Sequence, residues 1–295
     1  MVKKITNTSQ LLNFAKDSYL ERTSRPFYAI VFLLPFIVVY EAGTLFLNTD
    51  VLNATQTRVL AFVWLQRLLE YIGFGGKFAW AAPPLAVVII LVALQIACRK
   101  RWSFSVKDFV PMTFECILLA VPLIVFSLLF NTTSGPPIDQ TQNRLTGGEN
   151  DSVIRCMALQ KTKQPEQEHV AESANDKMLL ANIVTGIGAG IYEELVFRLL
   201  LICGLMIVFQ DLARLDHKRA IVLSVIISSA LFSAHHHIDL LTGQTGAVFH
   251  PAAFIFRTLA GIYFAVLFAI RGFGITSGTH AFYNIIATCI NTLFF

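Results

Sequence analysis

Residues 178–210 read MLLANIVTGIGAGIYEELVFRLLLICGLMIVFQ, a run in which only Glu193, Glu194 and Arg198 carry charge. A helix crosses the hydrocarbon of a bilayer in about 20 predominantly apolar residues. This run exceeds that length, so it is read as a membrane helix that is strongly tilted or broken near Gly186, Gly188 and Gly190. Working outward, the stretches Phe27 to Leu47, Ala79 to Cys98, Phe109 to Phe130, Pro251 to Ile270 and Gly272 to Phe295 meet or approach the same length, and Ala220 to His237 is a shorter one ending in three histidines. The reading is all-α, a polytopic transmembrane helix bundle of about seven spans.

Composition agrees with that reading. The 295 residues are 55% hydrophobic and only 14% charged, too little polar surface to cover a soluble domain of this length. The net charge of +4 comes from basic residues at the edges of apolar runs rather than along one helix face, which excludes a nucleic-acid groove and leaves lipid as the partner. Five cysteines without a CxxC spacing imply no disulfide framework. No small-residue cleavage pattern follows the first apolar run, so that run is expected to persist as a span.

The chain divides into an N-terminal arm with three spans over residues 1–130, a polar loop over 131–177 and a four-helix part over 178–295. The middle stretch holds seven acidic and five basic residues and is expected to stay solvated. Val51 to Phe74 mixes Arg58, Arg67 and Glu70 with apolar residues at helical spacing, as an interfacial helix does. Five basic residues lie in the N-terminal arm, four between Arg99 and Lys107, three between Arg214 and Arg219 and none from Ile238 to Pro251, which places the N-terminus on the cytoplasmic side of a multi-pass protein.

Ionisable side chains at bilayer depth are costly unless paired or hydrated, so each is a functional candidate. Glu194 and Arg198 are four apart in the favourable order and can neutralise each other. Glu193 points about 100° away on the same helix. It is left as the carboxylate suited to general-base work. His280 and Asn284, also four apart, offer two donors over one helix face, the arrangement a developing oxyanion requires. His236 is the candidate to hold a nucleophilic water. The flanking His235 and His237 leave open which ring faces the site and are expected at a solvated helix end. Arg257 is expected to snorkel, to pair with an acid or to touch the site, and Glu41 to reach the headgroups.

Glu193-Glu194-Leu-Val-Phe-Arg198 fits EExxxR, Phe232 to His236 fits FxxxH, and His280 to Asn284 fits HxxxN. In this order on membrane helices, the three motifs resemble the CAAX protease and bacteriocin-processing (CPBP) family of intramembrane endopeptidases, which includes the Ras-converting CAAX endoprotease and the prokaryotic Abi proteins. The resemblance covers Met178 to Phe295. It implies hydrolysis of a peptide or protein substrate at the membrane, with Glu193 activating water beside His236 and with His280 and Asn284 stabilising the tetrahedral intermediate. Glu194 and Arg198 match the motif's second acid and its Arg. No cofactor is expected. A metal such as zinc on Glu193, His236 and His280 is the alternative, and no HExxH favours it. Competing readings are a proton- or ion-coupled transporter using the acids and histidines as a relay, which lacks the paired broken-helix repeat, and a non-catalytic scaffold or immunity protein.

Overall fold

The computed structural model describes residues 14–46, 60–74, 81–133, 165–238 and 249–294. Its helices are α1 (Tyr19–Thr23), α2 (Pro26–Phe46), α3 (Leu60–Tyr71), α4 (Ala82–Ala97), α5 (Phe109–Thr133), α6 (Pro165–Glu193), α7 (His217–Ala234), α8 (Pro251–Arg271) and α9 (Phe273–Phe294). Five helical stretches are long and apolar enough to cross a membrane: Pro26–Leu45, Val106–Phe130, Lys177–Leu212, His217–Ala234 and Pro251–Arg271. The chain is an integral membrane protein. Of the seven spans expected, Ala82–Ala97 is apolar but shorter, and α9 does not meet the same measure; its His, Asn and hydroxyl residues lower its hydropathy.

Polarity runs inside out. Val110, Phe114, Leu118, Val121, Val125 and Leu128 form one exposed apolar face of α5, an extent of uncovered hydrocarbon that only lipid accommodates. Inward faces carry polar residues instead, among them Ser224, Ser228 and Ser233 of α7 and Thr276, Ser277 and His280 of α9. The Ser228 and Ser233 hydroxyls donate to the Phe197 and Phe254 carbonyls at 2.6 and 2.7 Å, tying α7 to its neighbours.

The long site helix is not broken at its glycines but runs as continuous α-helix to Glu193. From Glu193 it continues through a π-helical stretch, Glu194–Ile202, a short α turn and a second π stretch, Ile207–Leu212. The glycines serve packing instead. A Cβ placed on Gly190 would lie 2.6 Å from the backbone nitrogen of Ala281, and one on Gly186 2.9 Å from Cβ of Asn284. Small residues one turn apart thus let α6 and α9 approach backbone to backbone. The pairings of Gly186 with Asn284, Gly190 with Ala281 and Glu194 with His280 run in opposite senses, so the two helices are antiparallel. Gly190→Ala is therefore expected to cost about 1–3 kcal/mol by overpacking and to pull His280 off Glu194; an unchanged melting temperature in detergent would refute the close approach.

The N-terminal arm is fastened to the start of the bundle by charge. Arg22 pairs with Asp108 at 2.9 Å, and Arg271 forks onto both oxygens of Glu115. Gly272, at φ +77, turns the chain directly from α8 into α9. The stretch read as a loop from Asn131 to Lys177 is partly helical: α5 runs to Thr133 and α6 begins at Pro165, a residue suited to the first helical position. The stretch expected to form an interfacial helix is helical as α3, and Arg58 lies outside the described residues. Ala61 and Leu65 are buried and Leu68 and Tyr71 exposed, so α3 lies on the bundle with its Phe62 ring edge-on to Tyr192.

Candidate active site

Glu193 and Glu194 sit where α6 passes into its π stretch, and both are buried, at 2% and 0% exposure. π turns widen a helix and rotate successive side chains out of α phase, and they occur often at functional sites. The adjacent carboxylates meet different partners. Oε2 of Glu194 lies 3.1 Å from Nε of Arg198, and its Oε1 lies 2.7 Å from Nδ1 of His280. Arg198, itself buried, rests its guanidinium 4.2 Å from the centre of the Phe232 ring and donates to the Gly261 carbonyl at 3.4 Å. The pairing of Glu194 with Arg198 expected from their spacing is present; its second partner, His280, was not legible from spacing.

Glu193 faces imidazoles. Its Oε1 is 3.5 Å from Nε2 of His235 and its Oε2 is 3.9 Å from Nε2 of His280. His280 thus stands between the two acids, with Nδ1 on Glu194 and Nε2 toward Glu193, and Phe264 stacks on its ring at 4.4 Å. The contact to Glu194 fixes Nδ1 as the protonated nitrogen, because a carboxylate only accepts.

The histidine run follows the last turn of α7. Nδ1 of His236 reaches the Phe232 carbonyl at 2.9 Å, and Nδ1 of His235 makes a short contact to the same oxygen. The two rings lie 3.9 Å apart, and one ligand atom from each clusters with the Glu193 carboxylate within 4.8 Å. Contrary to the expectation of a solvated helix end, His235 and His237 are both buried, at 4% exposure. The reason is aromatic cover: Trp64 of α3 and Phe197 close over His235 at 5.8 and 4.8 Å, while Phe249 and Arg257 meet His237. Arg257 is half-buried, with Nη1 3.3 Å from Nε2 of His237. Glu41 accepts from the Tyr192 hydroxyl at 3.4 Å.

Asn284 is held one turn further along α9. Its amide nitrogen donates to the Gly186 carbonyl at 3.0 Å, so one of its two N–H groups is engaged with α6. The metal alternative shifts accordingly: among the described residues the cluster able to hold an ion is Glu193, His235 and His236, and His280 is turned to Glu194 instead. Sequence reasoning missed His235 as a neighbour of Glu193 and the cover supplied by Trp64. The triple histidine was a signal for the first, and no periodicity could have reported the second.

Residues 175–286 match the family model described as Type II CAAX prenyl endopeptidase Rce1-like. This part of the chain is similar to Rce1-like domains. The match spans all three motifs and agrees with the resemblance read from them. It takes in α7, α8 and most of α9, which carry the histidines, Arg257 and Asn284, and it begins within α6 before the two acids. Neither the curated proteins nor the solved structures compared with the chain give a match. The Rce1-like match supports an intramembrane endopeptidase of the CAAX-protease kind.

Proposed function

We propose that this protein cleaves peptide bonds within the membrane by a glutamate-activated water. The observation that carries the reading is the division of labour between adjacent acids: Glu194 is consumed by Arg198 and His280, while both oxygens of Glu193 face imidazole nitrogens at 3.5 and 3.9 Å. The longer separation exceeds a direct hydrogen bond and suits one bridging water. A water held between Glu193 and a histidine gives its proton to the carboxylate as its oxygen attacks the scissile carbonyl carbon. The resulting oxyanion is met by His280 and by the second N–H of Asn284. Collapse breaks the C–N bond, and Glu193 returns the proton to the leaving amine. His236, on the motif spacing, orients the water. No cofactor is required by these steps.

The family description names a prenyl endopeptidase, so a lipid-anchored peptide is the substrate class, presented from the bilayer to a site walled by Phe197, Phe232, Phe264 and Trp64. Orientation follows the charge: Arg22, Arg25, Lys100, Arg101 and Arg271 gather near the start of α2, the end of α4 and the end of α8, and the cytoplasm lies on that side. Purified protein in vesicles is expected to remove the C-terminal tripeptide from a peptide carrying a prenylated cysteine fourth from its end, with the new terminus identified by mass spectrometry. Failure of the wild-type protein to cut either this peptide or its unprenylated counterpart would overturn the assignment.

A further inference from the structure

Where the N-terminal arm meets the turn after α4, a cavity of about 210 Å³ is lined by five cations and two carboxylates. Both acids are taken up within the wall. Asp17 pairs with Arg25 and Arg101 at 2.9 and 3.3 Å, and Glu21 pairs with Arg25 and, at 3.1 Å, with Lys100. Lys16 and Arg99 line the same cavity, are both exposed, and form no ion pair among the described residues. Five cations less two acids leave the cavity an excess of three positive charges. Its walls are set from inside the fold. The buried Gln95 side chain accepts from the Phe27 N–H at 3.1 Å and donates to the Lys100 and Arg101 carbonyls at 3.0 and 3.1 Å, which pins the turn against the start of α2. Arg25, also buried, donates to the Ser103 hydroxyl at 3.1 Å.

The surroundings are those of the headgroup layer. Trp102, next to Arg101, is 55% exposed, and its ring meets Phe27 edge-on at 5.3 Å, the placement aromatic residues take at a membrane–water boundary. Back along α4 from Arg99, the exposed side chains of Ile96, Ile89 and Leu85 share one helix face and extend about 16 Å into the span, enough to receive much of an acyl chain. We infer that this cavity binds the headgroup phosphate of an anionic phospholipid, with Lys16 and Arg99 supplying the unpaired positive charge and the stripe on α4 carrying an acyl chain. A free phosphate would engage the cations alone, whereas the lipid uses both surfaces. A zwitterionic headgroup brings no net charge to meet the excess, so the site selects for an anionic one. Bound there, the lipid ties the arm to the turn after α4 and reinforces ion pairs that are otherwise partly open to water. The site shares no residue with the proposed hydrolysis and stands independently of it.

Phosphatidylglycerol is the probe, titrated into the full-length protein in a non-ionic detergent, with phosphatidylcholine and glycerol phosphate in parallel. The expected result is a melting temperature that rises with phosphatidylglycerol concentration, as a ligand of the folded state requires, and one such lipid retained per chain in native mass spectrometry. Lys16→Gln and Arg99→Gln are each expected to weaken this binding about 5-fold, and the double variant about 25-fold. Neither substitution breaks an ion pair, so the lipid-free melting temperature stays at the wild-type value. Lys218→Gln, the same loss of charge at an exposed position at the start of α7, leaves lipid binding unchanged. An equal shift with phosphatidylcholine overturns the inference, because the headgroup charge would then not be read. Glycerol phosphate that reproduces the whole shift overturns it in favour of a soluble anion. Undiminished binding in the double variant, or a loss in Lys218→Gln as large as in the double variant, does so by removing the cavity from the effect.

Discussion

Glu193→Gln is expected to lower peptide cleavage by about 10³-fold or more, in the upper part of the range that loss of a positioned general base produces, while the protein stays folded and inserted. The amide keeps the volume of the carboxylate but cannot take a proton from water. Stability should hold, because the amide keeps the volume of the carboxylate and can still bond to the facing His235 ring. The loss should appear in kcat, since a proton acceptor acts in the transition state rather than in substrate binding. Turnover and a melting curve on the same preparation check both halves. A variant that retains more than a tenth of the activity would remove Glu193 from the mechanism, and with it the transition-state role of its neighbours.

The second large effect is on folding. Glu194→Ala leaves Arg198 buried, at 1% exposure, with no carboxylate opposite, and breaking a buried pair on one side costs about 3–5 kcal/mol. It also frees Nδ1 of His280, so cleavage falls together with stability. Restoring charge balance separates these two contributions: Glu194→Ala combined with Arg198→Met is expected to recover much of the melting temperature, because an apolar replacement of similar volume fits between Phe232 and Phe264. Activity should stay low in the double variant, since His280 still lacks its partner. Equal melting temperatures for Glu194→Ala and the wild-type protein would show that the pair does not carry the load assigned to it.

Much of this was legible in the residues. Hydrocarbon length and the scarcity of charge identify the spans, because a bilayer imposes its thickness on any helix that crosses it. The spacing of Glu194 and Arg198 announces their pairing, because four residues nearly close one helical turn. The histidines, acids and arginine that the three motifs name as candidates come together where α6, α7 and α9 meet.

What stayed hidden is what only tertiary packing sets. The π stretch from Glu194 has no signature in a run of Leu, Val and Phe. The same holds for the glycines of α6. By composition alone they suggest a broken helix, but against α9 they become the contact surface, since a missing Cβ is useful wherever a second backbone arrives. His235 lay outside the motif spacing, and the turn that ends α7 swings it onto Glu193 and beneath Trp64. Asn284 is drawn to the Gly186 carbonyl by the approach of α6 and α9, a contact made across nearly a hundred residues of chain.

The nucleophile is the most direct point of test. Cleavage of an anchored peptide by the vesicle-embedded protein, run in ¹⁸O-labelled water with excess hydroxylamine, distinguishes attack by a water on Glu193 from attack by a side chain. Water attack predicts one labelled oxygen in the new carboxyl terminus and no hydroxamate, because no acyl group is ever joined to the enzyme. A hydroxamate product that grows with hydroxylamine concentration would reveal an acyl-enzyme and contradict the account.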